Sequence, residues 1–178
     1  MSAQKQYMKP QDIVVLLKII SLKDKPWSQV TIADELFMSQ SEVSQSIARS
    51  KYARLLLPDR KKVMRLSFYE FLQYGIAFVF PQQPGPVIRG VPTAHSAPPL
   101  NEHIVSEEYY VWPYGKGTAR GHSIAPLYPS VVDAIKLDSD LYEMLAMVDA
   151  LRVGRAREKN FALKELKKRI VGEETSHT

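Results

Sequence analysis

Nine of the twelve prolines and five of the eight glycines in this 178-residue chain fall between residues 81 and 129. Proline locks φ and removes a backbone donor, so that stretch cannot be mostly helix. It separates a helical first segment, about 8–80, from a helical third segment that begins near residue 130. A mainly α fold with a small β component is expected.

In the first segment Pro10 suits the first position of a helix, and Ile13, Leu16, Leu17 and Ile20 then mark one apolar face. A second helix is expected from Ser28 to Leu36 with Val30, Ile32, Ala33 and Leu36 inward. A short turn at Phe37-Met38 leads into a third helix, Gln40 to Tyr52. The next stretch reads in two ways. Leu55–Leu57 and Val63–Leu66 could flank a hairpin turn at 58–62, or a helix capped by Asp59 or Ser67 could run to Gly75. The Ser67-Phe-Tyr-Glu70 capping box and the spacing of Phe68, Phe71 and Leu72 favour the helix. Ile76–Phe80 reads as a buried strand and Tyr109–Trp112 as its partner. Beyond the prolines, Ser130–Leu137 reads as a short helix. Leu141, Leu145, Val148 and Leu151 step along a longer one, Gly154 breaks it, and Ala162, Leu163, Leu166 and Ile170 mark a last helix over 155–171.

Charge is distributed unevenly. Residues 1–80 hold 12 Lys/Arg against 7 Asp/Glu, whereas 81–129 (3 against 3) and 130–178 (9 against 9) are balanced, so the net +5 sits in the first segment. A one-sided basic cluster attracts polyanions and releases counterions on binding them. A solvated basic face would account for the charge alone.

The string Ile32-Ala-Asp-Glu-Leu-Phe-Met-Ser-Gln-Ser-Glu-Val-Ser-Gln-Ser-Ile47 adds geometry to that charge. Ala33 is small enough for a close helix crossing, and Leu36 and Met38 bracket a turn. Ser39 and Glu42 form a capping box, and Val43 with Ile47 would anchor the second helix. Helical spacing then turns Ser41, Ser44, Gln45, Ala48, Arg49 and Tyr52 outward. Gln and Arg suit bidentate contacts to adenine and guanine edges. Gln40, Ser41, Ser44, Gln45 and Arg49 are therefore the candidate base readers, and Lys51, Arg54, Arg60, Lys61 and Lys62 the candidate phosphate contacts. A plain αα-hairpin is the competing interpretation.

Residues 28–54 resemble the helix-turn-helix of winged-helix bacterial transcriptional regulators, most of all the MarR-like group. Phe37 stands where many such motifs carry a turn glycine. Ser46 occupies a position often aliphatic, leaving that packing to Ile47. The resemblance implies a winged helix-turn-helix over 8–115, with a Pro/Gly-rich insert at about 81–108 and a β-hairpin wing after the third helix. A linker and C-terminal helical region, 116–172, would follow, its apolar stripe expected to serve dimerisation or partner binding or else to pack back on the same chain, ending in a disordered tail at 173–178. It also implies a dimeric repressor or autoregulator whose partner is double-stranded DNA. The alternative is an antitoxin-like module that neutralises a partner enzyme through its C-terminal half.

Other chemistry has less support. There is no cysteine, hence no disulfide framework or thiolate site. His95, His103 and His122 lie eight and nineteen residues apart, without the i, i+4 spacing of a helical metal pair. No nucleotide-binding glycine pattern or nucleophile elbow is present, so neither an enzyme nor a cofactor or metal is expected. Arg89 and Arg120 are candidates for minor-groove or loop contacts. The start lacks a signal-peptide pattern and no run is apolar enough to span a bilayer, which leads us to expect a cytoplasmic protein without a membrane partner.

Overall fold

The computed structural model describes residues 6–59 and 61–172. Arg60 and the tail 173–178 therefore lie outside the described residues. The chain sorts into two compact units, Met1–Met64 with Leu127–Asp138, and Arg65–Pro126 with Ser139–Thr178. The division falls after Met64 rather than near residue 115, and a short segment beyond the prolines returns to the first unit.

The first unit is built on α1 (Pro10–Ser21), with Pro10 at its start and the Asp12 carboxylate accepting from the Lys9 backbone N–H at 2.8 Å. Every residue from Asp12 to Ile20 is buried, not only the expected stripe. A helix apolar all round belongs in a core. Its two charged side chains are each paired. Lys18 Nζ reaches Glu35 at 2.8 Å and Asp138 at 2.9 Å. Burial pulls the Lys18 pKa down, but hydrogen bonds to Glu35 and Asp138 outweigh it and hold the ammonium above the ordinary lysine value.

Ser28 Oγ accepts from Thr31 N and starts α2 (Gln29–Leu36). Ile32, Ala33 and Leu36 are buried as expected, but Val30 is exposed, because helical spacing sets it off the face those three share. α3 (Gln40–Tyr52) follows, and then a minimal antiparallel pairing. Leu57 N donates to the Lys62 carbonyl and Met64 N to that of Leu55, both at 2.8 Å, around a Leu56–Val63 bridge. A short helix α6 (Val131–Ala134) and a single 3₁₀ turn, Ile135–Leu137, complete the unit, with Ser130 Oγ donating to the Leu36 carbonyl at 2.6 Å.

The second unit opens with α4 (Arg65–Tyr74). Hairpin and helix thus both form, one after the other, and Ser67 lies inside the helix instead of capping it. The expected strand 76–80 is instead the short helix α5 (Ile76–Val79), with Phe78 in solvent. A brief apolar run does not distinguish strand from helix by period, and here the Gly75 carbonyl accepts from Phe78 and Val79 N–H to start another turn.

The sheet contains β1 (Val87–Pro92), β2 (Tyr110–Pro113) and β3 (Ala119–Ser123). β1 is antiparallel to both others, and β2 and β3 pair in parallel, so the three close on one another. The strand read at Tyr109–Trp112 is present, but it pairs with 87–92 and 119–123 instead of 76–80. Gly90 faces Pro113 on one side and Ala119 on the other. A Cβ there would strike the Trp112 carbonyl, and one at Gly117 would strike the Gly90 backbone. The tight closure needs both glycines.

α7 (Ser139–Val153) is the unit's central helix, buried almost continuously from Leu141 to Leu151. Its Asp149 has no solvent access to speak of, and accepts from Trp112 Nε1 at 2.6 Å and Thr93 Oγ1 at 2.7 Å. Arg152 Nη1 pairs with the same carboxylate at 2.9 Å while its Nε donates to the Phe80 carbonyl. Burial pushes the Asp149 pKa up, opposed by Arg152, Thr93 and Trp112. One carboxylate thereby ties the sheet to the central helix. α8 (Ala156–Ile170) buries Ala162, Leu166 and Ile170 within the same unit, where it packs on α4 and α7. The apolar stripe expected to serve dimerisation is therefore already covered.

Candidate nucleic-acid interface

The geometry around α3 is set by the turn before it. Phe37 closes α2 in the left-handed region, φ 55°, and Met38 N donates to the Ala33 carbonyl at 3.0 Å. A residue with a Cβ pays roughly 1–2 kcal/mol for that conformation. Ser39 Oγ then accepts from Glu42 N at 3.0 Å and starts α3. Val43, Ser46, Ile47 and Ser50 form the buried side of the helix. Ser46 faces the core with Ile47 beside it, so the small residue and the aliphatic one share the position's packing.

The opposite side presents Gln40, Ser41, Ser44, Gln45, Ala48 and Tyr52 to solvent. Gln45 Nε2 donates to Ser41 Oγ at 3.3 Å, one turn back along the same face. The face therefore combines hydroxyls, amides and a phenol with no large aliphatic side chain.

Arg49 does not belong to it, which corrects the sequence expectation. The residue is only 7 % exposed and its Nε and Nη2 donate to both oxygens of Asp12 at 2.8–3.2 Å. That bonding raises the guanidinium pKa above its ordinary value. Glu42 stands 3.8 Å from Arg49 Nη2 and accepts from Gln11 Nε2 at 2.6 Å, tying α3 to the start of α1. The reason is geometric. At 3.6 residues per turn Arg49 lies on the border between the two faces, beside Glu42, and a long side chain there reaches an uncompensated carboxylate. The signal in the sequence was Asp12 itself, a carboxylate leading directly into Ile13–Leu17, which demands a buried cation.

Of the basic residues, Lys51 is half-buried near the end of α3, whereas Arg54, Lys61 and Lys62 are exposed. Lys61 Nζ sits 5.1 Å from the centroid of the Trp27 ring, a cation–π contact that orders a surface ammonium. Arg60 falls outside the described residues. Arg54, Lys61 and Lys62 thus gather at and around the hairpin that follows α3, all within the first unit.

Arg89 and Arg120 belong to the second unit. They are directly opposed across the β1–β3 pair, both exposed. Like charges facing across a ladder repel, so this pair favours an anion between or beside its guanidinium groups. The histidines are engaged separately: His95 Nε2 lies 2.7 Å from the Glu108 carbonyl, His122 Nδ1 lies 3.0 Å from that of Gly85, and His103 packs on Phe161. Among the described residues no group of three His, Asp or Glu is placed to hold a metal ion, and no helix is long and apolar enough to cross a membrane.

No protein-family model, curated protein or solved structure matches this chain.

Proposed function

We propose that the first unit is the DNA-binding module of a sequence-specific transcriptional regulator, a winged helix-turn-helix in which α3 enters the major groove and residues 55–64 act as the wing. The observation that carries this reading is the outward face of α3. It is exposed, polar and free of large aliphatic side chains, on a helix anchored from behind by Val43 and Ile47. Such a face has no packing role, and its amides and hydroxyls match base edges.

Three features support it further. The α2–α3 turn is tight and capped by Ser39. Exposed Arg54, Lys61 and Lys62 stand at and around the hairpin that follows the reading helix, positions suited to phosphates. The resemblance of residues 28–54 to MarR-like regulators adds the same expectation from the sequence side. In this reading Gln40, Ser41, Ser44 and Gln45 contact bases, Lys51 and the exposed cations hold the backbone, and Arg49 keeps α3 in place. Arg89 and Arg120 would add a second phosphate or minor-groove contact.

Selection from a pool of random duplexes tests this. Recovery of one enriched motif, lost with Gln45→Ala, is the expected result. A pool that stays unenriched after repeated rounds would overturn the reading.

A further inference from the structure

The cations and acids of residues 81–129 cancel in number but not in place. The three acids, Glu102, Glu107 and Glu108, lie in the largely exposed stretch 102–108, where Glu108 stands 3.9 Å from Arg155 Nη2. The three cations, Arg89, Lys116 and Arg120, lie on β1, on β3 and in the turn that joins β2 to β3. No acidic residue occurs in the three strands or in that turn. All three cations are exposed, and among the described residues none of their charged groups has a hydrogen bond or ion pair.

The backbone gathers them. Ser123 N donates to the Pro86 carbonyl at 3.0 Å, so the alternation of an antiparallel ladder makes Arg89–Arg120 a non-hydrogen-bonded pair. Such a pair brings its Cα atoms to about 4.5 Å and its side chains closest together on one face. Tyr114 N donates to the Arg89 carbonyl at 3.1 Å and Gly117 N to that of Tyr114 at 3.0 Å, which fastens the turn bearing Lys116 to Arg89 itself. Gly115 is an independent sign. Its φ lies outside the left-handed region, and a Cβ there would meet nothing within 4 Å. Neither strain nor crowding therefore calls for glycine. The missing side chain leaves bare backbone beside Lys116, open to close approach by a ligand.

We propose that Arg89, Arg120 and the Tyr114–Gly117 turn form a phosphate-binding site of the second unit. Two guanidinium groups held at one spacing suit the oxygens of a tetrahedral anion, and Lys116 supplies a third charge from the turn. A carboxylate would leave two of the three charges unmatched, whereas a phosphate monoester carries up to two negative charges and three acceptor oxygens. The phosphate belongs either to a nucleic-acid backbone or to a free phosphorylated compound, and the chemistry recognised is the same. The site does not rest on α3 reading DNA, since all of its residues belong to the second unit.

Nitrogen-15 spectra of the full chain test the proposal, titrated at constant ionic strength with inorganic phosphate, a 5′-mononucleotide and a random-sequence duplex. Phosphate should shift the Gly115, Lys116 and Gly117 amides saturably, and acetate should not. Arg120→Gln should weaken phosphate binding on the order of ten-fold. Because it also relieves the facing charges, it should raise the urea midpoint in phosphate-free buffer and lose the increment that phosphate gives the wild type. A purely structural arginine would show neither. If the duplex shifts the turn amides and inorganic phosphate reverses those shifts, the phosphate is that of DNA. If the mononucleotide shifts them and the duplex does not, it is that of a free compound. No saturable shift with any of the three probes, equal shifts with acetate, or binding indifferent to Arg120→Gln would each overturn the site. Failure of the DNA-binding reading shows itself separately, as Ser41 and Gln45 amides that no duplex moves.

Discussion

Arg49 and Asp12 form a buried, two-pronged ion pair that joins α3 to α1, with Nε and Nη2 of the arginine at 2.8–3.2 Å from the two carboxylate oxygens. Removing one partner strands the other charge away from water, at about 3–5 kcal/mol. Arg49→Ala should therefore destabilise the chain by that amount in urea titration, and Asp12→Leu with Arg49→Met should recover most of it. A small loss in Arg49→Ala, with DNA selectivity gone, would return Arg49 to the reading face.

Gln45 is exposed and contacts only Ser41 one turn away. Gln45→Ala should leave the unfolding midpoint within experimental scatter and cost about 1–3 kcal/mol of discrimination between a selected duplex and its mutated form. Competition binding against both duplexes reads this directly.

Phe37 occupies the left-handed region at φ 55° with half of its surface in solvent. Glycine adopts that conformation without a Cβ penalty. Phe37→Gly should raise stability by up to about 1 kcal/mol, seen as a higher urea midpoint with DNA binding retained. Lower stability would mean that the Phe37 ring contributes more than its backbone costs.

Burial, aided by Tyr109, pushes the Tyr142 phenol from the ordinary 10.0 up to about 12, and its hydroxyl donates to the Pro92 carbonyl at 2.6 Å. The unfolded chain releases this proton near pH 10.0 and the folded chain near 12. The contribution is full below that window and falls as pH rises through it. Tyr142→Phe should flatten the alkaline limb of the stability profile while costing about 1 kcal/mol at neutral pH for the lost hydrogen bond.

The helices were legible because their periods, caps and breakers agree locally: Pro10, Ser28, Ser39 and Gly154 mark their ends, and the bounds of α3 match the reading from residues alone. The small β component was legible as a consequence of the prolines, but its pairing was not. Strand partners depend on long connections and on backbone approaches such as that at Gly90, which composition does not reveal. The outward exposure of Ser41, Ser44, Gln45 and Tyr52 was legible because helical spacing sets them away from the side that Val43 and Ile47 bury. Arg49 was misread because a border residue with a long side chain goes to whichever side holds an opposite charge. Asp149 shows the same limit, since its three donors come from residues 93, 112 and 152.

The most direct test is fluorescence anisotropy of the purified chain on duplex from its own upstream region and on random duplex, across about 50–200 mM salt. If α3 reads DNA, binding is tight and selective, with log K falling steeply against log salt, and Gln45→Ala binds both duplexes alike. Weak binding that is equal on both duplexes for the wild type would contradict it, leaving only a basic surface.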